Sequence, residues 1–226
     1  MDSPKTIDEL MVRAESMSGR SIGEIAQLMQ IEVPASLTRK KGWQGQMIEK
    51  FLGADSGNLS QPDFSLLDIE LKTLPIDYNG KVLESTYVCV LNLYNNLDDE
   101  TFGCWQLSAV YRKLQHVLWV PVARTAGQSV TEFRVATPFL WRPSEAEMHL
   151  LKMDWENAIE LVSLGKIDQL NARDGEVLQV RPKAANSKVL TRTTNRQGQL
   201  IETLPRGFYL RPQFTQQILA QNLKLS

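Results

Sequence analysis

Pro62-Asp63-Phe64-Ser65-Leu66-Leu67-Asp68-Ile69-Glu70-Leu71-Lys72-Thr73 is the stretch on which the reading of this chain turns. From Leu67 onward polar and apolar residues alternate, so Ile69 and Leu71 fall on one face and Glu70 and Lys72 on the other. Alternation at period two marks a half-buried strand. An acid and an amine two residues apart on a strand point the same way, into one site. Asp63 follows a Pro at an expected turn, close enough for its carboxylate to converge on Glu70. Two carboxylates can hold a hard cation such as Mg²⁺ through oxygen, leaving positions for water and a phosphate. Lys72 beside them could orient or help deprotonate an attacking water and offset charge building on the phosphate. Such a set is what a metal-dependent nuclease needs.

The motif alone does not carry that conclusion. At average composition this spacing of Asp, Glu and Lys recurs by chance in roughly one chain of this length in twenty-five. Glu-x-Lys on a strand is also an ordinary solvated face. The bulk numbers exclude little: 226 residues, 42% hydrophobic, 23% charged, a net charge of −1 and no low-complexity tract describe a globular chain able to build a sizeable core. A near-neutral balance means that any surface for a polyanion must be local. Cys89 and Cys104 have no metal-ligand spacing, and neither His116 nor His149 has a Cys or His close by, which argues against a zinc site. With no signal-like N-terminus and no apolar run of roughly 18 residues, a reduced cytoplasmic setting without membrane contact is expected.

Taken in order, residues 6–18 read as a helix with a capping box of Thr6 and Glu9, and Ser21 with Glu24 repeats the signal. A helix over 44–52, closed by Gly53, carries Glu49 on its polar side and follows the basic run Arg39, Lys40, Lys41. Residues 86–93 and 117–122 read as buried strands, with a polar loop over 94–103 between them. Ser144 with Glu147 opens a long helix that Gly165 stops. Residues 176–212 carry seven Lys or Arg against Glu176 and Glu202, and fit a basic hairpin with strands at Val177–Val180 and Phe208–Leu210 and a turn at Asn195–Gly198. Such a segment suits a phosphate-lined groove, or equally a solvated basic face. A last helix over 215–225 spaces Ile218, Leu219 and Leu223 for docking, on the body or on a partner. Mixed strands and helices without a repeat suggest an α/β or α+β domain around a mixed sheet. There is no glycine-rich phosphate loop and no Gly-x-Ser-x-Gly elbow.

Longer blocks say more. Lys40-Lys41-Gly42-Trp43, Leu52-Gly53-Ala54, Asp63-Phe64, Glu70-Leu71-Lys72-Thr73, Glu84-Ser85-Thr86, Lys113-Leu114, Arg181-Pro182-Lys183-Ala184-Ala185-Asn186 and Leu204-Pro205-Arg206-Gly207-Phe208-Tyr209-Leu210 occur in this order across nearly the whole chain. In these blocks the chain resembles the MutH family of mismatch-repair endonucleases. The resemblance implies an α/β, restriction-endonuclease-like fold: a mixed sheet flanked by helices, forming a two-lobed clamp from one domain over 1–226. It implies Mg²⁺-dependent nicking of the unmethylated DNA strand at hemimethylated GATC sites by a monomer that MutL activates, with MutS acting indirectly. Asp63 and Glu70 would be the Mg²⁺ ligands and Lys72 the catalytic lysine, with Glu49 and Lys113 at further active-site positions. Lys41 would couple DNA contact to that site. Arg181, Pro182 and Lys183 would read GATC in the major groove, and Tyr209 with Pro182 would sit where an N6-methyl group is sensed, an edge that the groove exposes. The chain departs from the family pattern at Ala109, through 92–107 and around Arg192 and Arg196. A GATC-specific restriction enzyme and a non-catalytic DNA-binding repair adaptor are the alternatives.

Overall fold

The computed structural model describes residues 2–34, 42–55, 61–93, 102–183 and 189–223. Lys41 with the rest of the 39–41 run, residues 94–101 of the polar loop, the 184–188 part of the basic segment and the end of the last helix lie outside the described residues. In chain order the elements are α1 (Ile7–Glu15), α2 (Ile22–Leu28), α3 (Trp43–Leu52), β1 (Glu70–Ile76), β2 (Thr86–Leu91), α4 (Ala109–Leu114), β3 (Val117–Ala123), β4 (Arg134–Val135) and β5 (Phe139–Trp141). Then follow α5 (Glu145–Ser163), β6 (Leu178–Pro182), β7 (Thr191–Thr194), β8 (Leu200–Thr203), β9 (Arg206–Leu210) and α6 (Pro212–Asn222). The chain divides into two compact units, Met1–Glu84 with His116–Arg142 and Gln216–Ser226, and Ser85–Gln115 with Pro143–Thr215.

The first unit is built on β3, whose seven residues are all buried. A strand covered on both faces reads as a continuous apolar run, which is how Val117–Val122 reads in the sequence. β1 lies parallel to it in the register Glu70 to Val117 and Lys72 to Trp119, while β4 and β5 pair antiparallel on its other side. The sheet is therefore mixed. Leu71, Leu118, Val120 and Val122 share one core with Leu10, Ile25, Ile48 and Leu52 of α1 to α3. Each such side chain, fully buried, stabilises by about 1.5–3 kcal/mol.

Local signals mostly hold. Ser21 with Glu24 and Ser144 with Glu147 form full capping boxes, and Gly53 ends α3 in the left-handed conformation. The box expected at Thr6 is only half made: Thr6 accepts the Glu9 N–H, but the Glu9 carboxylate accepts from the Lys5 backbone and from Arg13 instead. The strand expected from Leu67 starts at Glu70, because residues 65–68 turn between the bridged Phe64 and Ile69, with Asp68 at φ 53. Ile218 and Leu219 of α6 are fully buried, and Gln216 bonds Gly80 O and the Val82 N–H, so this helix packs on the body.

The second unit holds an antiparallel sheet in the order β2-β9-β6 and a separate β7-β8 hairpin. The basic segment is thus not one hairpin. Its outer strands do pair, Leu178 with Leu210 and Val180 with Phe208, but the Asn195–Gly198 turn closes only the short β7-β8 pair. β9 is the central strand, since β2 takes its other edge. Asp154 of α5 fixes where β6 begins by accepting the N–H groups of Glu176, Val177 and Leu178 at 2.8–2.9 Å.

Candidate functional site

In the first unit the Asp63 turn is tied down from both sides. Asp55 accepts the N–H and hydroxyl of Ser65 and the hydroxyl of Ser3, and its own N–H donates to Asp63 O at 3.0 Å. Asp63 then turns its carboxylate to the strand, where Oδ2 accepts the Leu71 N–H at 2.9 Å. One residue earlier, the Glu70 N–H donates to His116 O at 3.0 Å, which starts the pairing of β1 with β3. Glu70 is 1% exposed and its carboxylate pairs with the Lys72 ammonium, itself largely covered. The Glu-x-Lys face is therefore not a solvated one. Buried charges are retained when they are paired or bind a metal, and a buried ion pair contributes little net stability over apolar residues of similar volume.

The sequence argued only against zinc at His116, yet its backbone carbonyl accepts from the Glu70 N–H. It is 4% exposed, and its ring Nδ1 accepts from Arg142 Nη2 at 3.0 Å, since a guanidinium only donates. Burial, then the Arg142 charge, push its pKa below the ordinary value. No short motif announces this role, because Arg142 comes from β-sheet pairing far along the chain.

Glu49 sits half-buried on α3 and turns back along its own helix, so that a Cβ on Gly45 would lie 4.0 Å from its Oε1. Among the described residues no three of His, Cys, Asp and Glu group to hold a metal ion. The donors offered are the carboxylates of Asp63 and Glu70. Hard oxygen ligands of this number suit Mg²⁺, which commonly binds through one or two carboxylates and keeps water and phosphate for the rest. The Leu71 N–H fixes Oδ2 of Asp63, and the Lys72 ammonium is held by Oε1 of Glu70. Lys113 is buried on α4 of the second unit.

The second unit places Arg181 and Tyr209 on one sheet face with Lys183 beside them, while Pro182, opposite Arg206 in the register, falls on the other face. Residues alternate across a strand, so Phe208 (2% exposed) goes to the core while Tyr209 faces the other way, half-buried. Tyr209 is not a core tyrosine. It meets Tyr87 edge to face at 5.3 Å, and the Arg181 guanidinium lies over its ring at 5.7 Å. Lys183 Nζ stands 3.1 Å from the Tyr87 ring centre, and the Lys183 N–H is fixed by Pro205 O. Gly207 lies beneath the rings: a Cβ there would approach Tyr87 Cε2 and Cys89 O at 3.0 Å. Burial pushes the Tyr209 phenol pKa up, and Arg181 opposes the shift.

The other basic residues of 176–212 divide. Arg206 donates to Leu170 O and Arg211 to the carbonyls of Ala172, Arg173 and Asp174, so both brace the fold. Arg196 pairs with Asp168, and Arg192 stands opposite Glu202. The charge of this segment is therefore not one even surface; among its described residues the cations set against aromatic rings are Arg181 and Lys183.

Comparison with known proteins adds a lineage to this geometry. The family model described as the DNA mismatch repair enzyme MutH matches residues 52–154. The DNA mismatch repair protein MutH of Shewanella woodyi is 49% identical over 219 residues, 97% of this chain and 93% of that protein. Those of Shewanella baltica strain OS185 and Shewanella oneidensis are 50% and 51% identical over 216 residues, each covering 96% of this chain and 95% of the relative. Among the described residues no helix is long and apolar enough to cross a membrane.

Proposed function

Since the chain belongs to the MutH family of mismatch-repair enzymes, with its restriction-endonuclease-like mixed α/β fold, we propose that it is a Mg²⁺-dependent DNA endonuclease that nicks the unmethylated strand at hemimethylated GATC sites. The observation that carries this reading is the buried Glu70–Lys72 pair on β1, with the Asp63 carboxylate tied to Leu71 between them. Asp63 and Glu70 would hold the cation. When bound, Mg²⁺ would supply Lewis-acid stabilisation of charge on the phosphate and favour a hydroxide-like water. The residues of the chain do the rest. Lys72, restrained by Glu70, places a positive charge where in-line attack by water builds negative charge on the phosphate oxygens as the bond to the 3′ oxygen breaks. A group already held in place loses no reorganisation energy at that moment.

On the second unit, Arg181 and Lys183 would contact the target in the major groove, with Tyr209 and Pro182 at the adenine whose N6-methyl group is rejected sterically. Glu49, Lys113 and Lys41 keep the supporting roles that the family resemblance implies. MutL as activator, MutS upstream of it, action as a monomer in the cytoplasm and the two units as lobes of a clamp belong to the same proposal. The burial of α6 speaks against its apolar positions as the MutL surface.

The test is a plasmid with a single GATC site, unmethylated, hemimethylated or fully methylated, incubated with Mg²⁺ or EDTA, with and without MutL. Mg²⁺-dependent nicks confined to unmethylated strands and stimulated by MutL are expected. Rapid double-strand cutting without MutL would make the protein a restriction enzyme instead, and binding without any cut would leave a repair adaptor.

A further inference from the structure

We infer that Ser85 is a positioning residue for base reading: its hydroxyl fixes the Arg181 guanidinium over Tyr209. The inference rests on the DNA-cleavage reading above. Ser85 stands immediately before β2, and the central strand β9 separates β2 from β6. Yet Ser85 Oγ accepts from two β6 side chains, Gln179 Nε2 at 2.8 Å and Arg181 Nη1 at 3.0 Å. Two lone pairs on a hydroxyl oxygen are thereby both used.

The pattern has a clear mechanical sense. Gln179 and Arg181 are two residues apart on β6 and share a face, and Gln179 stands opposite Tyr209 in the register. Tyr87 stands opposite Tyr209 on the other edge. A brace from Ser85 to β6 therefore spans the strand that carries Tyr209, and it ends on the guanidinium that covers that ring. Gln179 is 7% exposed, so its partly buried bond to Ser85 anchors the brace at its base. Arg181 itself is exposed, and an exposed arginine without such a bond samples many rotamers. Ordering it before DNA arrives removes that entropy from binding and fixes which base edge it can reach. Ser85 acts through Arg181 and needs no contact with the base.

The test uses the full chain carrying Ser85→Ala, Arg181→Ala, both together, or Ser85→Thr. Affinity is measured in EDTA for a hemimethylated GATC duplex and for duplexes with one base of the site changed. Nicking is measured with saturating duplex and Mg²⁺. Losing a hydrogen bond to a charged group predicts that Ser85→Ala weakens GATC binding by about tenfold. It should also narrow the preference over changed sites, with the saturated nicking rate falling much less. In the Arg181→Ala background Ser85→Ala should cost nothing further, because coupled residues are non-additive. Ser85→Thr keeps the hydroxyl and should restore affinity and preference. Losses that add in the double variant, or unchanged affinity and preference in Ser85→Ala, would overturn the inference. If the alanine variant does not fold, Ser85→Val against Ser85→Thr makes the same comparison at equal volume. A wild-type chain that shows no preference for GATC would instead remove the functional reading itself.

Discussion

Asp63 Oδ2 accepts the N–H of Leu71 at 2.9 Å, which fastens one acid to the residue that separates the other acid, Glu70, from Lys72. Side-chain chemistry from a turn and from a strand is thereby locked together through a backbone atom. A one-residue slip of β1 would break that bond and would also turn Glu70 and Lys72 to the face packed against α1 to α3. Register and site are thus the same constraint.

That coupling joins catalysis and folding at Lys72, and a double variant separates them. Lys72→Met should lower nicking by roughly 10²–10³-fold while GATC binding stays within about threefold of wild type. It also removes the Lys72 ammonium from beside the buried Glu70, which should lower stability in urea denaturation. The double variant Glu70→Gln with Lys72→Met should recover most of that stability and none of the nicking. A Lys72→Met protein that nicks at the wild-type rate would take Lys72 out of the chemistry.

Much of this was legible in the sequence, and the failures have physical causes. Alternation located β1 and put Glu70 with Lys72 on one face, because a strand's period is local. It did not show that this face is buried, since the burial comes from pairing with β3, nearly fifty residues along. Alternation also ran into Leu67 and Asp68, where the Phe64–Ile69 bridge and a left-handed Asp68 make a turn instead. Capping boxes at Ser21 and Ser144 formed because each needs only four residues; that at Thr6 was captured by Lys5 and Arg13. Charge counting could not tell Arg206 and Arg211, spent on carbonyls, from Arg181 and Lys183, set against rings. Ser85 and His116 act through bonds across 96 and 26 residues, beyond any local pattern.

The aromatic face makes a steric demand at Gly207. An alanine there would bring its Cβ to 3.0 Å from Cys89 O, which cannot retreat without disturbing the β2-β9 ladder, and from Tyr87 Cε2, which can. The ring of Tyr87 should swing off Tyr209 and away from Lys183. Gly207→Ala is expected to cost about 1–3 kcal/mol by thermal or urea unfolding. DNA affinity should fall with it, and a second change, Tyr87→Ala, should relieve the stability loss but not the affinity loss. If Gly207→Ala matches wild type in both measurements, the packing of the two rings is looser than this face implies.

Tyr209 offers a titration that reports on its neighbours. Burial holds its phenol above the ordinary tyrosine pKa of about 10, with Arg181 pulling the other way. Because the folded value is the raised one, the stability linked to this proton is fully present below the unfolded pKa, about 10, and is lost as pH rises through the folded value. Difference spectra of phenolate absorbance, wild type minus Tyr209→Phe, should therefore show one tyrosine that ionises late. Arg181→Ala should make it later still, since the cation favours the phenolate. Near neutral pH the phenol stays protonated, so recognition through Tyr209 should be insensitive to pH there. Tyr209→Phe should also soften the loss of stability in alkali. If the difference spectrum instead shows Tyr209 ionising at or below the usual value, the ring is more open to water than its place between Tyr87 and Arg181 requires, and its role beside the adenine would need a different geometry.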